Sequence, residues 1–151
     1  MKRNYFLVCA FLMWHAIAAH AQIRVVTTST DLASIAKEVG GERVIAESLT
    51  AGNTDLHYAQ ARPDYIVKLN KADVFVQVGL DLEAGWVPLL LNQSRNPKIH
   101  RGAPGYCAAY TGIELLEKPS GEITRQMGDV HPYGNPHYWT DPVNGIVIAK
   151  N

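Results

Sequence analysis

Five consecutive residues, Val74-Phe75-Val76-Gln77-Val78, constrain the fold of this chain more than any other stretch. Four are apolar and three are β-branched, and Gly79 closes the run. A short, nearly continuous run of this kind is a strand buried on both faces, which is the environment of a parallel sheet. The segments before it repeat one pattern. Ile23-Arg24-Val25-Val26-Thr27-Thr28 is a β-branched strand. Ser29 or Thr30 caps a helix whose Leu32, Ile35, Ala36 and Val39 share one face, and Gly40-Gly41 ends it. Val44 to Leu49 is a second strand. Pro63 suits the first turn of a second helix that buries Tyr65, Ile66 and Leu69. Strand, helix, strand, helix, strand predicts a right-handed βαβ series. The expected fold class is therefore α/β, a Rossmann-like lobe with a parallel sheet flanked by helices. Such sheets bind ligands beyond the carboxyl ends of their strands. The loops after the second strand and before the final helix are the places to look.

Downstream, Leu82 to Asn92 is helical in pattern, with Trp86, Leu89 and Leu90 inward and Pro88 as an irregularity. Asn96-Pro97 turns the chain into an expected short strand near Lys98-Ile99. Residues 101–135 are richer in Gly and Pro, and Ile113-Glu114-Leu115-Leu116 is the strand-like segment there. Asp141-Pro142 starts a last helix, with the carboxylate capping free N–H groups and Val143, Ile146 and Val147 beginning an apolar stripe. A helix launched this well and stopping at Asn151 reads as the front part of a longer protein.

The N-terminus reads as a secretory leader. Lys2 and Arg3 precede an apolar run from Tyr5 to Ala19, and Ala19-His20-Ala21 is a small-x-small cleavage pattern. The run is short and broken by His15, so a transmembrane helix is not expected, and no second apolar stretch of membrane length follows. Cys9 lies inside the run rather than just after it, which argues against a lipid-anchored cysteine at the cleavage site. Residues 1–21 are thus expected to be a signal peptide and 22–141 one α/β lobe. Cleavage removes two of 14 basic residues and none of 14 acidic ones, leaving a net charge of −2. That balance argues against nucleic acid as a partner, and the composition is too apolar for a disordered chain. One cysteine, Cys107, remains, so no intrachain disulfide is possible. It reads as a small buried hydrophobe rather than a metal ligand.

Four histidines follow the leader: His57, His100, His131 and His137. His57 sits in Gly52-Asn53-Thr54-Asp55-Leu56-His57, straight after the second strand. His137 sits in Asn135-Pro136-His137-Tyr138-Trp139-Thr140-Asp141-Pro142, just before the last helix. They are 80 residues apart, so no zinc-finger spacing exists. Topology is what joins them, since both loops could lie on one rim of a sheet. Neutral imidazole is the commonest protein metal ligand, and a closed zinc site needs four donors. Two histidines on strand-end loops supply half of one; the alternative is two unrelated surface or packing histidines. Asp55 and Asp141 are candidate acceptors for the spare N–H of a ligating ring, although Asp141 reads better as a helix cap. Trp139 and Tyr138 either shield such a site from water or are aromatic core. His131, in Gly128-Asp129-Val130-His131-Pro132-Tyr133-Gly134, is a further ligand, a carrier on a mobile loop, or a loop residue without a role. His100, beside Lys98 and Arg101, is expected to be solvated.

These motifs resemble the N-terminal lobe of the periplasmic substrate-binding proteins of zinc and manganese ABC transporters. Asp55-Leu56-His57 is similar to that family's Asp-Pro-His loop, followed here by Ala61-Arg62-Pro63-Asp64. Ala72-Asp73, Gly79-Leu80-Asp81-Leu82-Glu83 and Trp86 follow its pattern. Asn135 to Pro142 matches its Pro-His-x-Trp-x-Asp-Pro signature, and Gly128 to Gly134 resembles a zinc-associated subgroup. The resemblance covers Ile23 to Asn151. It implies that His57 and His137 are metal ligands, and His131 stands beside them as a candidate third. It further implies that 142–151 begins the helix linking two lobes, and that a second lobe, absent from this sequence, supplies the remaining His or Glu and a carboxylate. The implied function is an exported, periplasmic solute-binding protein. It would capture a divalent ion, zinc by preference or manganese, and deliver it to an ABC permease without making or breaking bonds. Two rival classes stand beside it. A zinc-dependent hydrolase also leaves ligand positions open, but no H-E-x-x-H motif is present. A surface or adhesion protein would carry the histidine pair incidentally.

Overall fold

Val74–Gln77 lies inside a four-stranded sheet, with a parallel neighbour on each side, in the computed structural model, which describes residues 21–121 and 130–151. The expected leader up to residue 20 and the Gly128-Asp129 pair lie outside the described residues. In chain order the elements are β1 (Ile23–Thr27), α1 (Thr30–Gly40), β2 (Val44–Ser48), α2 (Pro63–Asn70), β3 (Val74–Gln77), α3 (Val87–Ser94), β4 (Tyr106–Ala108) and α4 (Pro142–Ile148). The strand order is β2-β1-β3-β4 and each neighbouring pair is parallel. In register, Val26 stands between Glu47 and Phe75.

The chain winds outward from β1 to β2, then back over β1 to β3 and on to β4. Right-handed crossovers therefore put α1 on one face and α2 and α3 on the other, and α2 and α3 pack against each other. The core follows from this. Val25, Val26, Phe75, Val76 and Val78 from the sheet meet Leu32 of α1, Tyr65 and Leu69 of α2, and Leu90 of α3, all buried. Ser29 caps α1, its hydroxyl accepting from the Leu32 N–H at 3.3 Å. Asp141 caps α4, accepting from the Val143 N–H at 2.8 Å.

Several expectations need correction. The helix expected from Leu82 starts only at Val87, because the segment before it closes as tight turns (Ala84 N–H to the Asp81 carbonyl, Trp86 N–H to the Glu83 carbonyl) and Trp86, at φ −139°, leaves helical geometry. Pro88 consequently falls in the first helical turn, where its missing N–H costs nothing. Trp86 and Leu90 are buried as expected, but Leu89 is exposed. No strand forms at Lys98-Ile99. Asn96 accepts from the Lys98 N–H and closes a single 3-10 turn, Pro97–Ile99, that drives Ile99 into the core. The fourth strand comes later, at Tyr106–Ala108. A Cβ on Gly105 would stand 2.3 Å from the Asp73 carbonyl oxygen, so only glycine lets β4 approach β3 there. Ile113 to Leu116 is not a strand, since left-handed Gly112 and Glu117 bracket it. On the helices, Val39, Val143 and Ile146 are exposed, and Ile148 rather than the expected stripe anchors α4. His100 is not simply solvated: its Nε2 is buried without a hydrogen-bond partner among the described residues. Cys107 is a half-buried free thiol whose pKa burial pushes up. No helix among the described residues is long and apolar enough to cross a membrane.

The reversal between β1 and β3 opens the crevice that open α/β sheets use for ligands. Here a side chain occupies it. Glu83, only 2% exposed, accepts from Thr28 Oγ1 (2.7 Å), the Val78 N–H (2.9 Å) and the Gly79 N–H (2.8 Å). Burial holds its carboxyl above the ordinary glutamate range, against the pull of these three donors.

Candidate functional site

Two loops rise from the carboxyl edge of the sheet, and each is tied to it by one buried aromatic residue. In the first, Leu56 packs into the core and its carbonyl accepts from Trp86 Nε1 at 2.8 Å. Trp86 is 1% exposed and its ring lies 6.4 Å from that of Tyr65. Leucine at position 56 thus gives the loop an apolar anchor. In the second, Tyr138 donates its hydroxyl proton to the Val78 carbonyl at 2.7 Å, just past the end of β3. Burial keeps that phenol protonated. Pro136 is fully buried beside it.

Each anchored loop holds its histidine in the same way. Asp55 Oδ1 accepts from both the His57 backbone N–H (2.9 Å) and the ring Nδ1 (2.8 Å). Asn135 Oδ1 accepts from the His137 backbone N–H (2.9 Å) and its Nδ1 (3.0 Å). A carboxylate only accepts, so His57 Nδ1 carries the proton and a neutral ring bears its lone pair on Nε2. His137 follows the same logic through the amide oxygen. The backbone N–H of His57, and then its ring, hold the Asp55 carboxyl below its usual range.

The rings converge. His57 and His137 lie 5.6 Å apart between centroids, and His57 and His131 lie 5.1 Å apart. The Nε2 atoms of His57 and His131 are 3.0 Å from each other. One of the two nitrogens carries the proton shared across this contact. The Trp139 ring lies 5.5 Å from that of His137 and closes one flank. Among the described residues, no three His, Cys, Asp or Glu side chains are yet spaced as ligands of a single ion. A groove of about 740 Å³ opens beside the rings, lined by His131, His137, Asn135 and Glu117 among others. A separate groove of about 780 Å³, at Gln77, Glu83, His100 and Tyr106, reaches none of the three rings.

Sequence reasoning singles out His57, His131, His137 and Asp55, and the structure brings all four together. Asp141 is a helix cap, as its better reading holds. Sequence reasoning misses Asn135, although it stands two residues before His137 just as Asp55 stands two before His57. That repeated spacing is the available signal.

Comparison with known proteins gives one answer. The family described as zinc-uptake complex component A, periplasmic (ZnuA), matches residues 25–151. The manganese ABC transporter substrate-binding lipoprotein PsaA of Streptococcus pneumoniae is 30% identical over 133 residues, 86% of this chain and 39% of that protein. The metal ABC transporter substrate-binding lipoprotein FimA of Streptococcus parasanguinis is 29% identical over 136 residues, 88% of this chain and 40% of that protein. The chain spans about two fifths of the length of these curated relatives. Among solved structures, the Zn(II)-bound ZnuA-like domain of Streptococcus pneumoniae AdcA superposes with a TM-score of 0.62 at 26% identity, covering 86% of this chain and 42% of that one. A crystal structure of ZnuA gives 0.64 at 21% identity, covering 86% and 44%, a likeness of fold alone. A parallel α/β lobe, two similarly anchored histidine loops and a family match from residue 25 to the last residue lead to one assignment: this chain belongs to the periplasmic zinc-uptake component A family of metal ABC transporter substrate-binding proteins.

Proposed function

We propose that this chain is the metal-capturing lobe of an exported solute-binding protein that takes up a divalent ion and passes it to an ABC permease. His57, His131 and His137 are the proposed ligands, each through Nε2. The observation that carries this reading is the pair of rings locked with Nδ1 as donor, which leaves a lone pair on each Nε2, with the ring centroids 5.6 Å apart. Two nitrogens bound to one tetrahedral zinc at 2.0–2.1 Å stand roughly 3.3–3.4 Å apart. The 3.0 Å contact between His57 and His131 is close to that spacing, and a small opening admits an ion. Zinc is favoured over manganese because imidazole suits zinc whereas carboxylate and water suit manganese. The relatives' names span both metals.

The ion is cargo, and the protein makes and breaks no bonds in it. Residues 1–21 serve as the export signal, which puts the lobe of 22–141 in the periplasm. Residues 142–151 begin the helix toward a second lobe that completes the ligand set. The exposed Val143 and Ile146 and the relatives' greater length support that division.

Competitive titration of the purified chain against a chromophoric chelator tests the proposal. Zinc should displace manganese. Replacing Asp55 by alanine should weaken zinc by roughly 10–100-fold, the usual effect of removing the partner that orients a ligating imidazole. Equal zinc affinity in the Asp55→Ala variant, or a preference for manganese, would contradict the reading.

A further inference from the structure

The two histidine loops differ in one atom pair, and a third residue compensates for the difference. Asp55 presents an acceptor to His57 whichever way its carboxylate turns. Asn135 does not, because turning its amide over exchanges C=O for NH2. Its Oδ1 faces the N–H and Nδ1 of His137, and its Nδ2 donates to Glu117 Oε2 at 2.9 Å. We infer that Glu117 is a positioning residue for metal binding: its acceptor-only carboxylate draws the Asn135 NH2 outward, fixing the proton of His137 on Nδ1 and its lone pair on Nε2. The inference rests on the metal reading for its consequence in affinity, though not for the tautomer itself.

Independent backbone features bring Glu117 to this place from 18 residues away. The Asn135 N–H donates to the Leu116 carbonyl at 2.8 Å. Gly134 (φ 112°) lets the two segments meet, since a Cβ there would lie 2.8 Å from the same carbonyl oxygen. Glu117 itself holds φ 54°, a conformation that residues with a Cβ rarely adopt. Glu117 is exposed, so its carboxylate is not required by the core. The backbone N–H of His137 favours the same amide orientation as Glu117 does. Glu117 adds the charged partner at the other end, and a charge-assisted bond of this kind is stronger than a neutral one.

The decisive variant is Glu117→Lys, which replaces an acceptor by a donor facing the Asn135 NH2. The ammonium repels the Asn135 NH2 and leaves the amide held by the His137 N–H alone, so the acceptor at His137 Nδ1 is no longer fixed from both ends. Long-range proton–nitrogen NMR of the metal-free chain, above the histidine titration range, reads the tautomer directly, with His137→Gln assigning the ring. The parent should show Nδ1 protonated and Nε2 bare. Glu117→Lys should mix or invert that pattern and lower zinc affinity about tenfold, the lower end for loss of an orienting partner. The double variant Glu117→Lys/Asn135→Asp should restore both, because the new carboxylate accepts from the introduced ammonium with one oxygen and from His137 with the other. Glu117→Gln, which still offers an acceptor, should keep the parent tautomer. An unchanged His137 pattern in Glu117→Lys, or no recovery in a double variant that unfolds at the parent temperature, would overturn the inference. The nitrogen shifts require no metal, so they decide the relay even if zinc titration fails the metal reading.

Discussion

Replacing His57 by alanine is expected to reduce zinc affinity more than any other single substitution. His57 is the ring common to both convergent contacts, 5.1 Å from His131 and 5.6 Å from His137. Without it the two remaining imidazoles lose their shared neighbour, and Asp55 has no ring to orient. The loss should therefore exceed the roughly 10–100-fold expected for removing Asp55 alone. His137→Ala should follow the same course with a smaller change, because His57 and His131 remain in contact. His100→Ala should leave affinity unaltered, since His100 lines the other groove. The same chelator competition measures all three. A His57→Ala chain that binds zinc as the parent does would show that the ion is held elsewhere.

Trp86→Ala should produce the largest loss of stability, and affinity should fall with it. The indole is essentially sealed from solvent and packs on Tyr65. Truncating a buried tryptophan costs about 3–5 kcal/mol. For a domain of this size that lowers Tm by roughly ten degrees or more. Trp86→Phe separates the two roles of the residue. It keeps most of the apolar ring but removes the donor to the Leu56 carbonyl, a change worth about 1–3 kcal/mol where a buried acceptor is left unpaired. Because Leu56 immediately precedes His57, zinc affinity should drop in this variant even where the fold persists. Thermal unfolding and metal titration on one preparation check both effects. Parent-like affinity in Trp86→Phe would mean that the loop needs no tether.

The sheet is legible in the sequence where burial is complete. The run at Val74–Val78 and the β-branched segment at Ile23–Thr28 read directly as buried strands, and two helical patterns between strands set the parallel winding. Legibility fails where the backbone leaves the common conformations. Nothing in the side chains from Leu82 to Trp86 announces successive tight turns, so the pattern alone puts the start of the Val87 helix more than a turn too early. Lys98-Ile99 loses to a local competitor, the Asn96 side chain, which offers the backbone a tighter turn than a strand. The fourth strand is hidden because Tyr106–Ala108 is only three residues long and depends on a glycine approach that no periodicity records.

The site divides along similar lines. Parallel topology makes His57 and His137 candidates by bringing both loops to one rim, and the family-like motifs around them, not the topology, single them out as ligands. Asn135 and Glu117 cannot be found by chemistry-bearing residue type alone. An amide acquires its meaning only from what lies at both its ends, and the carboxylate at the far end is 18 residues away along the chain. His100 is misjudged from sequence because its charged neighbours, Lys98 and Arg101, suggest solvent and say nothing about its own Nε2.

The central claim is that the Nε2 atoms of His57, His131 and His137 meet on one ion. X-ray absorption at the zinc edge of the loaded chain measures this most directly, with His131→Ala as the comparison. The account predicts three imidazole nitrogens at about 2.0–2.1 Å in the parent and two in the variant. A zinc shell made of oxygen donors, or an imidazole count that His131→Ala leaves unchanged, would contradict it.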